Sequence, residues 1–300
     1  MALMSPAALQ RAVPAVFVLI WSTGFVVARF GMPHAGPMDF LALRFFFSAL
    51  IFIAWVAWSG ARWPQGRLQW AHLAVTGLLM HAGYLGGVWA AVKAGLGAGM
   101  ASLIVGLQPV LTALWLSAMV GGTGASRVRP VQWLGLALGL AGLVLVVWHK
   151  LHLGMAQPGN VALAVVALAS ITAGTLYQKR WVAPCDVRSA NAVQLLAALV
   201  LTVPLALVET YPLDWHPEML GALAWSVLVL TLGGSSLLYV LIQRGAATAV
   251  TSLMYLVPPC TALLAWWLFD EQFTPLSLLG LVATVIGVAL VVREVPARRA

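Results

Sequence analysis

The chain has 300 residues, of which 62% are hydrophobic and 8% charged, with a formal net charge of +8. A soluble domain is about 45–50% apolar and about 25% charged, so a soluble enzyme, a secreted disulfide scaffold and a disordered chain are all excluded. What remains is an all-α polytopic membrane protein, provided the apolar residues fall into spans of about 20.

They do. Met1 to Pro14 carries Arg11 and runs into the first apolar segment, roughly Ala12–Phe30, with no small-x-small cleavage site. It reads as a transmembrane helix rather than a signal peptide. Next come Pro37–Trp58, Leu68–Lys93, Ala98–Val120 and Pro130–Trp148, then Gly159–Lys179, Ser189–Val208, Pro217–Arg244, Ala246–Phe269 and Pro275–Val292. Each can cross about 30 Å of hydrocarbon as a helix, and the alternation of a membrane barrel is absent. The links leave no room for a soluble domain.

Ten spans place both termini on one side. That side collects Arg11, Arg62, Arg67, Arg127, Arg129, Lys179, Arg180, Arg188, Arg244, Arg293, Arg298 and Arg299, against Arg29, Lys93 and Lys150 opposite. The positive-inside rule makes the first side cytoplasmic. The basic residues stand singly in short loops, so they set orientation and imply no nucleic-acid partner. Cys185 and Cys260 form no metal-ligand spacing or CxxC pair, and neither a metal nor a cofactor is expected.

The chain repeats itself. At an offset of 150, Gly24 meets Gly174, Arg29 meets Lys179, Gly83 meets Gly233, Gly95 meets Gly245, and Pro109 meets Pro259. At an offset of 145, Pro130 meets Pro275, Gly135 meets Gly280, and Gly142 meets Gly287. A five-span unit is odd, so the second copy enters the membrane from the opposite side. This inverted repeat is the architecture of many secondary transporters, with the site near the midplane between the halves.

Within this frame lie Trp21-Ser22-Thr23-Gly24-Phe25, Arg44-Phe45 after Pro37 and Asp39, and Gln108-Pro109-Val110-Leu111-Thr112-Ala113-Leu114. Further on come Pro259-Cys260-Thr261-Ala262-Leu263-Leu264 through Asp270-Glu271, then Pro275, Leu279-Gly280 and Ile286-Gly287-Val288. Together these resemble the EamA-type transporters of the drug/metabolite transporter superfamily, and bacterial aromatic amino acid exporters among them. The resemblance implies two EamA-like repeats, 1–150 and 151–300, in a bacterial inner membrane. It also implies export of small metabolites, amino acids with an aromatic leaning first, by a monomer or homodimer. Multidrug or cationic-compound efflux is the alternative on the same fold. The family often has an acid after the ninth span and after the fourth; Glu271 supplies the former, but Gly121-Gly122 stands at the latter.

In the third span Gly77, His81, Tyr84 and Val88 share one helix face. Gly83, Gly86, Gly87 and Ala90 share the other, where small residues admit a neighbouring helix. His81 and Tyr84 then point toward a central cavity, His81 as a proton-sensitive group. Trp21 and Trp89 lie deep in their spans, and Ser252 and Tyr255 share a face of the ninth. All six are candidate substrate contacts. Trp58, Trp63, Trp70, Trp133 and Trp148 sit at span ends as interface anchors. Arg44 reads as an anchor at a helix end, near Asp39, with substrate contact as the alternative. Pro109, Pro258 and Pro259 interrupt equivalent helices and read as hinges.

An integral-membrane enzyme would need a clustered catalytic set, whereas His34, His72, His81, His149, His152 and His216 are scattered. A channel would need a filter or polar ring, and a structural protein needs no inverted repeat. No Walker motif is present, so ATP-driven pumping within this chain is excluded. Proton antiport, exchange and facilitated diffusion all remain open.

Overall fold

The computed structural model describes residues 6–119, 130–152, 156–234, 237, 256–272 and 274–292, and no strand occurs among them. The helices are α1 (Pro6–Gly31), α2 (Pro37–Ser59), α3 (Arg67–Lys93), α4 (Ala98–Val105), α5 (Gln108–Met119) and α6 (Pro130–His152). They continue with α7 (Pro158–Trp181), α8 (Val187–Val208), α9 (Pro217–Gly234), α10 (Val257–Phe269) and α11 (Pro275–Val292). Six of them, α2, α3, α6, α7, α8 and α9, are long and apolar enough to cross a membrane. Shorter apolar helical stretches cover Ala15–Gly31, Ala98–Thr112, Val257–Phe269 and Pro275–Leu290.

Proline opens α2, α6, α7, α9 and α11. At that position its missing N–H costs nothing and its fixed φ already suits a helix. Left-handed residues close others: Gly60 ends α2 at φ +62 and Asp270 ends α10 at φ +51. The Trp residues assigned to interface anchoring are all exposed, with Trp58 at 92%.

Two expectations change here. The fourth span is not one helix: it breaks at Gly106-Leu107 and resumes as α5. Pro109 therefore lies in the first turn of a restarted helix, where proline is tolerated, and not at a mid-helix bend. Pro258 and Pro259 likewise occupy the first turn of α10. Second, α3 and α9 each contain a π-helical stretch, Leu78–Gly83 and Trp225–Gly234. A π turn widens the helix and locally departs from the 3.6-residue period.

Helices at corresponding places in the two halves pack against each other. In α6 and α11, Gly142 lies against Gly280 and Thr284, while Gly287 lies against Gly135 and Gly139. The register descends in one helix as it rises in the other, so they run antiparallel. Likewise α2 and α8 pair along their length. Glu209, at the end of α8, bonds the start of α2, and Ser189 near the start of α8 donates to the Arg62 carbonyl (2.9 Å) beyond the end of α2. Two further contacts answer one another: Gly24 of α1 faces Leu230 in one π stretch, and Gly174 of α7 faces Leu79 and Met80 in the other.

A Cβ at Gly142 would run into the Gly280 carbonyl at 2.6 Å and Thr284 Oγ1 at 2.7 Å. Gly142→Leu is expected to destabilise by about 1–3 kcal/mol through overpacking, read as a lower Tm of the purified protein in detergent. An unchanged Tm would mean that these helices do not pack as described.

Candidate functional site

A cavity of about 120 Å³ lies where α1, α2 and α3 meet α7, α8 and α9. Its lining is mostly apolar. Helix α1 contributes Trp21, Gly24 and Phe25, and α2 contributes Arg44 and Phe45. Helix α3 contributes Met80, His81, Tyr84 and three residues of the next turn, Leu85, Val88 and Trp89. Ile171, Leu195, Leu230 and Thr231 close the other side.

Both π stretches reach this cavity, one with Met80 and His81, the other with Leu230 and Thr231. His81, Tyr84 and Val88, which share a face by a regular period, all line it. Gly77, grouped with them, packs against the backbone of Gln194 in α8, the residue that also lies beside His81. Gly87, on the opposite face, lies against the Leu163 carbonyl and Ala167 of α7, a close helix approach of the kind small residues permit.

Of the six candidate substrate contacts, four line this cavity: Trp21, His81, Tyr84 and Trp89. Trp21 packs on Phe17 with ring centroids 5.3 Å apart. The His81 ring meets Phe45 edge-on at 5.9 Å, and Gln194 lies beside it. Trp89 is fully buried and stacks on Phe40 at 4.2 Å, which fixes its ring as part of the wall. Ser252 and Tyr255 lie outside the described residues.

Arg44 is the residue that sequence reasoning misplaced. It is no helix-end anchor. Its guanidinium is buried at the cavity wall, and Nε and one Nη donate to Thr231 Oγ1 at 3.3 and 3.2 Å. The signal was there in its place, seven residues inside a span that begins at Pro37. Only the partner, 187 residues away, was invisible.

The carboxylates work elsewhere. Glu209 accepts from the Met38 and Asp39 N–H groups (2.9 and 3.2 Å) at the start of α2. Burial raises the pKa of its carboxyl, and those N–H bonds pull it back down. Glu271 accepts from Ala98 N–H at 2.8 Å at the start of α4. Its placement gives it a capping role, and a Cβ at Gly97 would occupy the same space.

The histidines are less scattered than expected. His34 stacks on His216 with centroids 4.2 Å apart and bonds Asp214 and Glu218 at 3.1 and 3.3 Å, joining the loops before α2 and α9. His34, His216 and Glu218 are close enough to hold a metal. The rings are nearly parallel, at 6°, so their lone pairs run side by side rather than converging on one ion.

The sequence profile described as the EamA-like transporter family matches residues 14–148 and, again, 159–293. An "Uncharacterized inner membrane transporter YedA" of Escherichia coli (strain K12) is 29% identical over 91% of this chain and 87% of its own length. An "Uncharacterized transporter" of Archaeoglobus fulgidus is 25% identical over 92% and 94%. A "Probable amino-acid metabolite efflux pump" of Escherichia coli (strain K12) is 25% identical over 90% of each chain. One solved crystal structure superimposes with a TM-score of 0.64 at 20% identity, covering 97% of this chain and 98% of the other, a likeness of fold.

Gly24 offers a test of the cavity. A Cβ there meets Leu230 at 3.7 Å, ordinary contact, whereas a leucine side chain would project into the space. Gly24→Ala is expected to keep transport in liposomes. Gly24→Leu is expected to lower it at least about tenfold, a loss of roughly 1.4 kcal/mol of binding, with Tm little changed. Full activity in the leucine variant would mean that the cavity is not on the route.

Proposed function

We propose, for a chain that belongs to the EamA-like transporter family, export of small organic metabolites by alternating access, with amino acids of aromatic leaning as the first class. The family and the relatives named above are transporters, not enzymes, and the apolar helices make this a multi-pass membrane protein. The observation that carries the reading is the cavity between the two halves of the chain, lined by aromatic rings of the first half with few polar tips and closed by Ile171, Leu195, Leu230 and Thr231 of the second. Such a lining suits an amphipathic molecule. A cavity of about 150 Å³ holds a benzene ring. At about 120 Å³ this one takes a ring with slight opening, and it is small for a polycyclic drug. The relative named as an amino-acid metabolite efflux pump supports the substrate class.

In this reading ten spans form two inverted five-helix repeats, residues 1–150 and 151–300. Supporting it are the antiparallel α6–α11 and α2–α8 pairs and the reciprocal glycine contacts at the two π stretches. In a two-fold arrangement, a contact between Gly142 and the counterpart of Gly135 requires a second between Gly135 and the counterpart of Gly142; both occur. One repeat rocks against the other, with Pro109, Pro258 and Pro259 in the first helical turns that absorb the motion. The Lys/Arg asymmetry supports both termini facing the cytoplasm from a bacterial inner membrane.

Proteoliposomes loaded with labelled phenylalanine or tryptophan are expected to release the label faster than empty-lipid controls. Release without a pH gradient supports a facilitator, and release only with one makes His81→Gln the first variant to compare. Retention of both labels would sink the aromatic amino acid assignment. For the hinge, Pro109→Ala is expected to slow exchange several-fold while Tm holds; wild-type exchange would count against it.

A further inference from the structure

The cavity holds a buried cation without a counter-ion. Arg44 is only 7% exposed. Its Nε and one Nη share a single acceptor, Thr231 Oγ1, whose own proton goes to the Ser226 carbonyl at 2.8 Å. No other hydrogen-bond partner of the guanidinium occurs among the described residues. Of the chain's eight acids, seven lie among the described residues; none lines the cavity and none ion-pairs with Arg44. The eighth, Glu294, follows the last helix. Residues 238–255 contain no Asp or Glu, so no carboxylate counter-ion comes from there either.

A guanidinium taken from water without an anion is unfavourable, and an intramembrane charge of this kind needs a partner. Its planar fork presents two parallel N–H groups that match the two oxygens of a carboxylate. We infer that Arg44 is the carboxylate anchor of the cavity, and that the site takes apolar organic monocarboxylates with or without an amino group while rejecting amines that lack the carboxylate. This rests on the transport reading above. The anion completes the coordination of Arg44, and the apolar body lies against Trp21, Phe45 and Leu230. An ammonium group finds no carboxylate on the wall and is repelled by Arg44, so the amino group of an amino acid adds little, and a simple amine has nothing to hold it.

The test uses the full chain. In proteoliposomes, counterflow of labelled phenylalanine is challenged with phenylacetate, phenethylamine or phenylalaninamide, and stabilisation of the detergent-purified protein by the same three compounds is measured alongside. Phenylacetate is expected to compete within about threefold of unlabelled phenylalanine, and the two cationic compounds not at about tenfold higher concentration, as expected when one buried charge pair carries recognition. Arg44→Gln keeps a donor for Thr231 and is expected to raise the KM for phenylalanine at least about tenfold and abolish stabilisation by phenylacetate. Arg44→Lys, which keeps the charge but loses the fork, is expected to preserve the order of the ligands at weaker affinity. Phenylalanine counterflow inhibited equally by phenethylamine overturns the anchor and leaves transport standing. Stabilisation by phenylacetate alone, without movement of any compound, sinks the transport reading and upholds the anchor. Absence of any carboxylate-selective stabilisation overturns the anchor.

Discussion

A peptide N–H in hydrocarbon has no water to turn to, and an unsatisfied one costs several kcal/mol. Within a helix the next turns take care of it, but four donors at every start and four acceptors at every end are left over. Much of the polar chemistry of this chain goes to them. Glu209 holds the first N–H groups of α2, and Glu271 the first of α4. Lys93 donates to the carbonyls of Met32 and Ala35 past the end of α1, and Asn160 to that of Ala94 past the end of α3. With only eight acids in 300 residues, their use at helix ends leaves none for the interior. The unneutralised Arg44 follows from the same economy.

The cavity depends on irregular backbone. In a regular helix, side chains three and four residues apart form a continuous stripe, and two such stripes close against each other. The π stretches in α3 and α9 interrupt that closure from opposite sides. Thr231 illustrates the coupling: its hydroxyl bonds the carbonyl of Ser226, five residues back, the spacing of a π turn, and so holds its oxygen toward Arg44. The distortion and the polar contact are one feature. Around it Phe40, Phe45 and Trp89 are fully buried and give the wall its rigidity.

Much of this was legible in the residues. Prolines marked the helix starts, glycine pairs marked the close approaches, and the depth of Trp21, His81, Tyr84 and Trp89 in their spans marked the cavity. What stayed hidden was non-local or broke the period. Arg44 could not be placed without Thr231, nor His34 without Asp214, Glu218 and His216, because each partner comes from the other half of the chain. The break at Gly106-Leu107 falls inside an apolar run, just before Gln108 and Pro109. Those two residues hinted at it, but a proline inside an apolar run suggests a bend as readily as a restart. The π stretches carry no composition signal of their own.

The direction of the helix-end contacts has one more consequence. Glu209, Asn160 and Glu271 all belong to the second half of the chain, and the ends they satisfy, those of α2, α3 and α4, all belong to the first. Gln69 of the first half returns the contact, bonding both backbone groups of Ala183 beyond the end of α7. Helix ends are thus covered across the two halves in both directions, so a chain cut between them would leave bare backbone groups on either piece.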